Sequence, residues 1–180
     1  RSNAALYGCV LGENGVPMRI GYILNQATEG QLEEFFIPTA QGKRAGCFAL
    51  TEPQAGSDAT RIQTRAVQDG DDYILNGHKR FITASRTADY AIIMAVTDPE
   101  AGTDGVTAFL VDADSEGYEI AGDYLPMSGQ HIDNDIYLKD VRVPARNILG
   151  GLGNGFKLGM NRININRLLQ CPTMLGHAEF

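Results

Sequence analysis

Cysteine is scarce in this chain. Cys9, Cys47 and Cys171 are the three among 180 residues, far apart and without C-x-x-C spacing, which argues against a disulfide framework or a zinc site. A reducing, cytoplasmic setting fits that usage best. Basic residues are outnumbered, 15 Lys+Arg against 22 Asp+Glu for a formal net charge of −7. No basic surface can then follow a polyphosphate backbone, and nucleic acid is not an expected partner. An anionic ligand is still permitted, because helix N-termini, backbone amides and single arginines bind phosphate locally. Long apolar runs are missing as well: Ala91–Val96 falls far short of the roughly 20 residues that cross a bilayer. The stretch Ala4–Leu11 behind Arg1 contains Gly8 and runs into Glu13 without a clear small-residue cleavage site, so it is not read as a signal peptide. His78, His131 and His177 share no metal-ligand spacing, and no metal is expected.

What is present is enough apolar content, 43%, to bury one real core. Leu32, Phe35, Phe36 and Ala40 fall near helical spacing behind Thr28-Glu29-Gly30, with Pro38 and Gly42 closing the segment. Ala4–Val10 and Met18–Leu24 read as further short helices. From Gly46 the texture changes to short apolar or alternating runs: Cys47–Leu50, Ile62–Val67, Tyr73–Leu75, Phe81–Thr83, Tyr90–Val96, Val106–Asp112 and Ile136–Val143. These predict strands, with turns at Asp69-Gly70-Asp71 and Asn76-Gly77, in an antiparallel sheet or barrel. The glycine cluster Gly150–Gly155 lacks the strand before it and the Lys-Ser/Thr ending of a phosphate loop, and reads as a linker. Beyond it, Phe156, Met160, Ile163 and Arg167 recur at helical spacing, and Pro172 is expected to kink that helix. A chain that opens and closes inside helical patterns reads as a piece of a longer one.

In the segment Thr51–Asp58, Pro53 restrains the backbone while Ala55, Gly56 and Ser57 are small enough for a ligand to approach the main chain. By composition alone the same residues describe an ordinary polar loop leaving a strand, and Phe81 describes a core aromatic. The whole string is more specific. Phe48-Ala49-Leu50-Thr51-Glu52-Pro53-Gln54-Ala55-Gly56-Ser57-Asp58 resembles the signature of acyl-CoA dehydrogenases, departing at Gln54, where glycine is commoner. Leu75-Asn76-Gly77-His78-Lys79-Arg80-Phe81-Ile82-Thr83 resembles the family's second motif, and Val141–Pro144, Asn147–Gly150 and Gly155–Lys157 resemble its crossing into C-terminal helices.

The resemblance implies an α+β fold in which an antiparallel β-barrel or sandwich middle domain is flanked by partial α-helical regions. It divides the chain into 1–44, the end of an N-terminal helical domain, 45–150, the β-domain, and 151–180, the start of a C-terminal helical domain. It implies FAD held by Phe48, Leu50, Thr51, Gly56, Ser57, Phe81, Ile82 and Thr83, and acyl-CoA met by Ser57, Asn164 and Arg167. The implied reaction removes a proton beside the thioester while the next carbon delivers hydride to flavin, with an electron-transfer flavoprotein or similar acceptor and a homodimer or homotetramer. Asn166 stands where a subset of the family has its catalytic Glu, and an amide cannot act as a carboxylate base. That subset is excluded, and the resemblance implies the family's usual arrangement, in which the catalytic Glu lies far downstream in C-terminal helices. The base is expected outside these residues, and the 180-residue chain alone is expected to be inactive. An oxidase or monooxygenase on the same scaffold, or a non-catalytic binding module, are the alternative readings. His78, His131, His177, Asp133 and Asp135 are assigned surface roles.

Overall fold

Thr28 opens the first helix of the described residues with a reciprocal cap. Its hydroxyl accepts from Gln31 N at 3.3 Å, and Gln31 Oε1 accepts from Thr28 N at 3.2 Å. The computed structural model describes Ile23, residues 25–125, Met127, Gly129 and residues 133–179. In it the segments Glu29–Gln31, Leu32–Phe36 and Ile37–Ala40 run on as one helical stretch, α1, whose middle segment has π-helical bonding. Pro38 lies inside the last turn, and the Glu34 carbonyl that its missing N–H would have reached accepts from Arg44 Nη1 at 3.1 Å instead. Gly42, at φ +69°, follows the end. The helices predicted at Ala4–Val10 and, apart from Ile23, Met18–Leu24 lie outside the described residues.

Eight strands follow: β1 (Gly46–Ala49), β2 (Arg65–Asp69), β3 (Asp72–Thr83), β4 (Tyr90–Val96), β5 (Val106–Asp112), β6 (Tyr118–Tyr124), β7 (Asp133–Pro144) and β8 (Ile148–Leu149). They form one open sheet in the order β6-β7-β3-β2-β4-β5-β8, with β1 attached to β4. Most pairs are antiparallel, as expected, but β1 runs parallel to β4, so the sheet is mixed.

Strands β4 and β5 are covered on both faces, which explains the unbroken apolar run of β4 and the nearly unbroken one of β5. Ala91, Ile93, Ala95, Phe109 and Val111 pack with Tyr73, Leu75, Ile136, Leu138 and Val143 of the curled sheet. The alternate residues Tyr90, Ile92, Met94, Ala108 and Leu110 pack with Phe35, Phe36 and Leu158 from the helices. The last helix, α2 (Gly155–Ala178), starts hard against β5. A Cβ on Gly155 would stand 2.5 Å from the Thr107 carbonyl carbon. The helix continues past Pro172 to Ala178.

Two sequence expectations fail at β3. Tyr73–Leu75 and Phe81–Thr83 are the ends of one strand, and Asn76-Gly77 is not a turn. The register slips there because β7 carries an extra residue, Asp140, at φ +53°. Asn76 stabilises that bulge, accepting from Asp140 N and donating to Asp140 Oδ1, both at 2.9 Å. The turn chemistry of Asn is thus used by its side chain across the strand pair.

Candidate functional site

Strand β3 brings the two motifs together. Arg80 N donates to Thr51 O at 2.8 Å. Lys79, pointing inward and fully buried, donates to Leu50 O at 3.2 Å and to Glu52 Oε1 at 2.6 Å. Glu52 is equally buried, and each of its oxygens has two donors. Thr64 N joins Lys79 on Oε1 at 3.0 Å, while Gln63 N and Gln54 Nε2 each reach Oε2 at 2.6 Å. Such saturation is what makes a buried ion pair tolerable. Burial pushes the Lys79 ammonium down to about 8, with Glu52 pulling it partly back. Burial also raises the Glu52 carboxyl, but the Lys79 charge and the donors on Lys79, Thr64 and Gln63 outweigh it and hold it below the ordinary range. Both groups are charged at neutral pH. Gln54, the departure from the family string, is the residue whose amide completes the shell around Glu52.

The other side of β3 is open. One extra β3 residue between Lys79 and Ile82 makes a bulge against β7. Phe81 takes φ +55° there, and the residue is 51% exposed. A bulky residue in the left-handed region is uncommon and costs energy, and such positions cluster at functional sites. The ring meets Tyr124 edge-on at 4.6 Å between centroids, and the Arg80 guanidinium lies 5.0 Å from Phe81 and 5.5 Å from Tyr124. Tyr124 Oη donates to Asp135 Oδ2 at 2.9 Å, and His78 Nε2 shares that oxygen at 2.9 Å while stacking on Tyr137. Burial, then the Asp135 carboxylate, raises the Tyr124 phenol above its ordinary value, so it stays a donor. Asp135 is therefore buried and bonded rather than a surface residue, because β7 begins at Asp133 and carries it under β6. Thr83 Oγ1 donates to Asp133 Oδ1 at 2.7 Å.

Phe48 lies beneath α2, with the Arg162 guanidinium 4.2 Å from its ring centroid. Leu50 and Ile82 are buried, while Gly56 and Ser57 are exposed on the loop after Glu52. Asn164 and Arg167 are exposed one turn apart on α2. No hydrogen bond joins either to Ser57 among the described residues. Leu50 and Thr51 are thus bonded to β3 at Lys79 and Arg80, on the strand that carries Phe81, Ile82 and Thr83, and no hydrogen bond among the described residues ties Ser57, Asn164 or Arg167 to them. A depression of about 480 Å³ lined by Arg65, Gln68, Thr97, Asp98 and Leu152 includes none of these residues. Glu52, Lys79 and Tyr124 carried no expected role, and Asp135 carried a surface one. Two paired opposite charges inside apolar motifs were the available signal for the first two. Strand β6 gave little, since its alternation is confined to Tyr118-Glu119-Ile120 before Gly122 interrupts it.

Comparison with known proteins agrees with this geometry. The family model for the acyl-CoA dehydrogenase middle domain matches residues 47–141. The caffeyl-CoA reductase-Etf complex subunit CarC of Acetobacterium woodii is 41% identical over 160 residues, 88% of this chain and 42% of that protein. The short-chain specific acyl-CoA dehydrogenase of Megasphaera elsdenii is 40% identical over 155 residues, 84% of this chain and 40% of that protein. The butyryl-CoA dehydrogenase structure from Megasphaera elsdenii superposes with a TM-score of 0.87 at 35% identity, over 96% of this chain and 46% of that one. The chain spans about two fifths of the length of the curated relatives it matches. Two motifs locked to each other across β1 and β3, on a sheet that superposes throughout, leave one assignment: the chain belongs to the acyl-CoA dehydrogenase family.

Proposed function

We propose that this chain supplies the β-domain wall of a site for FAD-dependent α,β-dehydrogenation of an acyl-CoA thioester. The observation that carries the reading is the junction at Thr51 and Arg80, where the buried Glu52–Lys79 pair holds two family motifs in register. Beside it stands an aromatic ring at a strained, exposed bulge. The residues present suit a flavin. Phe81 offers a broad apolar face, and Arg80 Nε is buried without a hydrogen-bond partner among the described residues. A Cβ on Gly56 would meet nothing within 4 Å, so a ligand has room beside that backbone.

In this reading Phe48, Leu50, Thr51, Gly56, Ser57, Phe81, Ile82 and Thr83 hold the cofactor, which supplies a two-electron acceptor when bound. The Thr83 proton is committed to Asp133, so its oxygen offers lone pairs toward any donor in the site. Ser57, Asn164 and Arg167 meet the thioester ligand, and the exposed Arg167 and Asn164 supply donors on one face of α2. Asn166 carries no carboxylate and cannot be the base, a role this reading gives to the Glu that the family's usual arrangement places in C-terminal helices. The regions 1–44, 45–150 and 151–180 are the end of a helical domain, the β-domain and the start of a second helical domain. A cytoplasmic homo-oligomer passing electrons to an electron-transfer flavoprotein completes the reading, supported by the Etf complex in the name of one relative.

The test is the visible spectrum of the purified full-length protein, followed by anaerobic addition of short, branched, aromatic and long acyl-CoAs. A flavin band that bleaches with one class supports the reading and identifies the substrate. A protein without flavin overturns it, and rapid oxygen consumption with substrate moves it to the oxidase class.

A further inference from the structure

Asp135 sits at the start of β7 with its side chain buried and its bonding unfinished. Oδ2 accepts from both Tyr124 and His78, whereas Oδ1 is buried with no hydrogen-bond partner among the described residues. A carboxylate oxygen left without a donor is destabilising, so stability alone does not account for an acid at this place. Its geometry points elsewhere. Tyr124 is held at its hydroxyl by Asp135, its ring edge meets Phe81, and Arg80 bridges both rings. Phe81 stands on a bulge with half its surface open. An unsupported ring there would lose rotamer freedom whenever a ligand settled on it, a cost of about threefold to tenfold in affinity.

We propose that Asp135 is a positioning residue for the ring that Phe81 offers to the flavin, acting through the Tyr124 hydroxyl. The inference rests on the flavin reading above. The carboxylate fixes Tyr124, Tyr124 fixes the plane of Phe81, and the ring is set before the cofactor arrives. His78 contributes from the far side by holding the same carboxylate oxygen, itself braced by Tyr137. The three residues come from three strands, β3, β6 and β7, so no local pattern announces them.

The experiment uses the full-length protein and reads FAD retention together with the visible circular dichroism of the bound flavin, a signal that follows the ring environment and not global stability. Tyr124→Phe keeps the ring and removes the hydroxyl. It should weaken FAD binding about threefold to tenfold and change the flavin dichroism. Asp135→Ala should do the same, and the double variant should be no worse than either single one. Asp135→Asn, whose amide oxygen still accepts from Tyr124, should restore most of the signal. If Asp135→Ala does not fold, Tyr124→Phe decides alone. Flavin bound by Tyr124→Phe with wild-type affinity and unchanged dichroism overturns the inference and leaves the flavin reading standing, as do effects that simply add. Wild-type protein that holds no flavin overturns both.

Discussion

His78 and Lys79 are neighbours on β3, so their side chains leave on opposite faces and enter two polar clusters that differ in how they are finished. The Lys79 cluster is closed. Glu52 has four donors, its ammonium partner is fully buried, and the backbone of both motifs is tied to it. The His78 cluster is open: Asp135 has one oxygen saturated and the other bare, and the rings it supports lie at the surface. A saturated network fixes where the chain goes, whereas one with a bare oxygen costs stability and so calls for another account. The first reads as framework, the second as the face the framework presents.

Breaking the closed cluster should have the largest effect. Lys79→Met leaves the Glu52 charge buried without its partner, and urea unfolding should show a loss of about 3–5 kcal/mol. The acid limb should also reverse. In the native protein the Glu52 carboxyl is held below its ordinary 4.5, so its stabilisation is present above that value and fades as pH falls through the folded-state value. Without Lys79, burial raises the carboxyl above its unfolded value, and protonating it then favours the folded state. The gap between wild type and Lys79→Met should therefore narrow from pH 7 toward pH 4. A gap that stays constant between pH 7 and about pH 5 would mean that the carboxylate reaches solvent once Lys79 is gone.

A smaller effect is expected where β3 presses on the same cluster from the side. A Cβ on Gly77 would stand 2.3 Å from Thr64 Oγ1, and Thr64 N is one of the Glu52 donors. Gly77→Ala should cost about 1–3 kcal/mol through displaced packing, measured by the same unfolding curves. An unchanged midpoint would mean that Thr64 moves freely and the cluster is less tightly held than its distances indicate.

The open cluster should respond in the opposite sense. Phe81→Gly relieves a left-handed backbone while adding unfolded-state freedom, so stability should stay within about 1 kcal/mol of wild type. Flavin retention by the full-length protein should nonetheless fall more than tenfold. A large stability loss with flavin still bound would make Phe81 framework and erase the contrast between the two clusters. The smallest expected change is chemical. Burial pushes the Cys47 thiol up to about 12, so a thiol reagent at pH 8 should label the exposed Cys171 and reach Cys47 only after unfolding.

Much of the architecture was legible because periodicity reports burial directly. The uninterrupted run in β4 marks a strand covered on both faces, and the cap at Thr28 marks a helix start. Asn76-Gly77 misled because the preference of Asn for turns and its ability to bond a neighbouring strand have the same chemical origin. Strand β6 was hidden by its polar face and Gly122. The motif residues were legible as a string, yet Glu52 and Lys79 carried no role until the fold set them 2.6 Å apart.

By itself, then, the sequence determined the family, the β-rich middle and the short list from which a flavin face is drawn, because local strings and alternation survive without any knowledge of pairing. Tertiary structure decided the rest: that Lys79 turns in while Phe81 turns out, that Gln54 completes a buried ion pair, and that Asp135 reaches the ring through Tyr124. Those outcomes depend on bulges and register between strands distant in the chain, where one added residue reverses which face a side chain occupies.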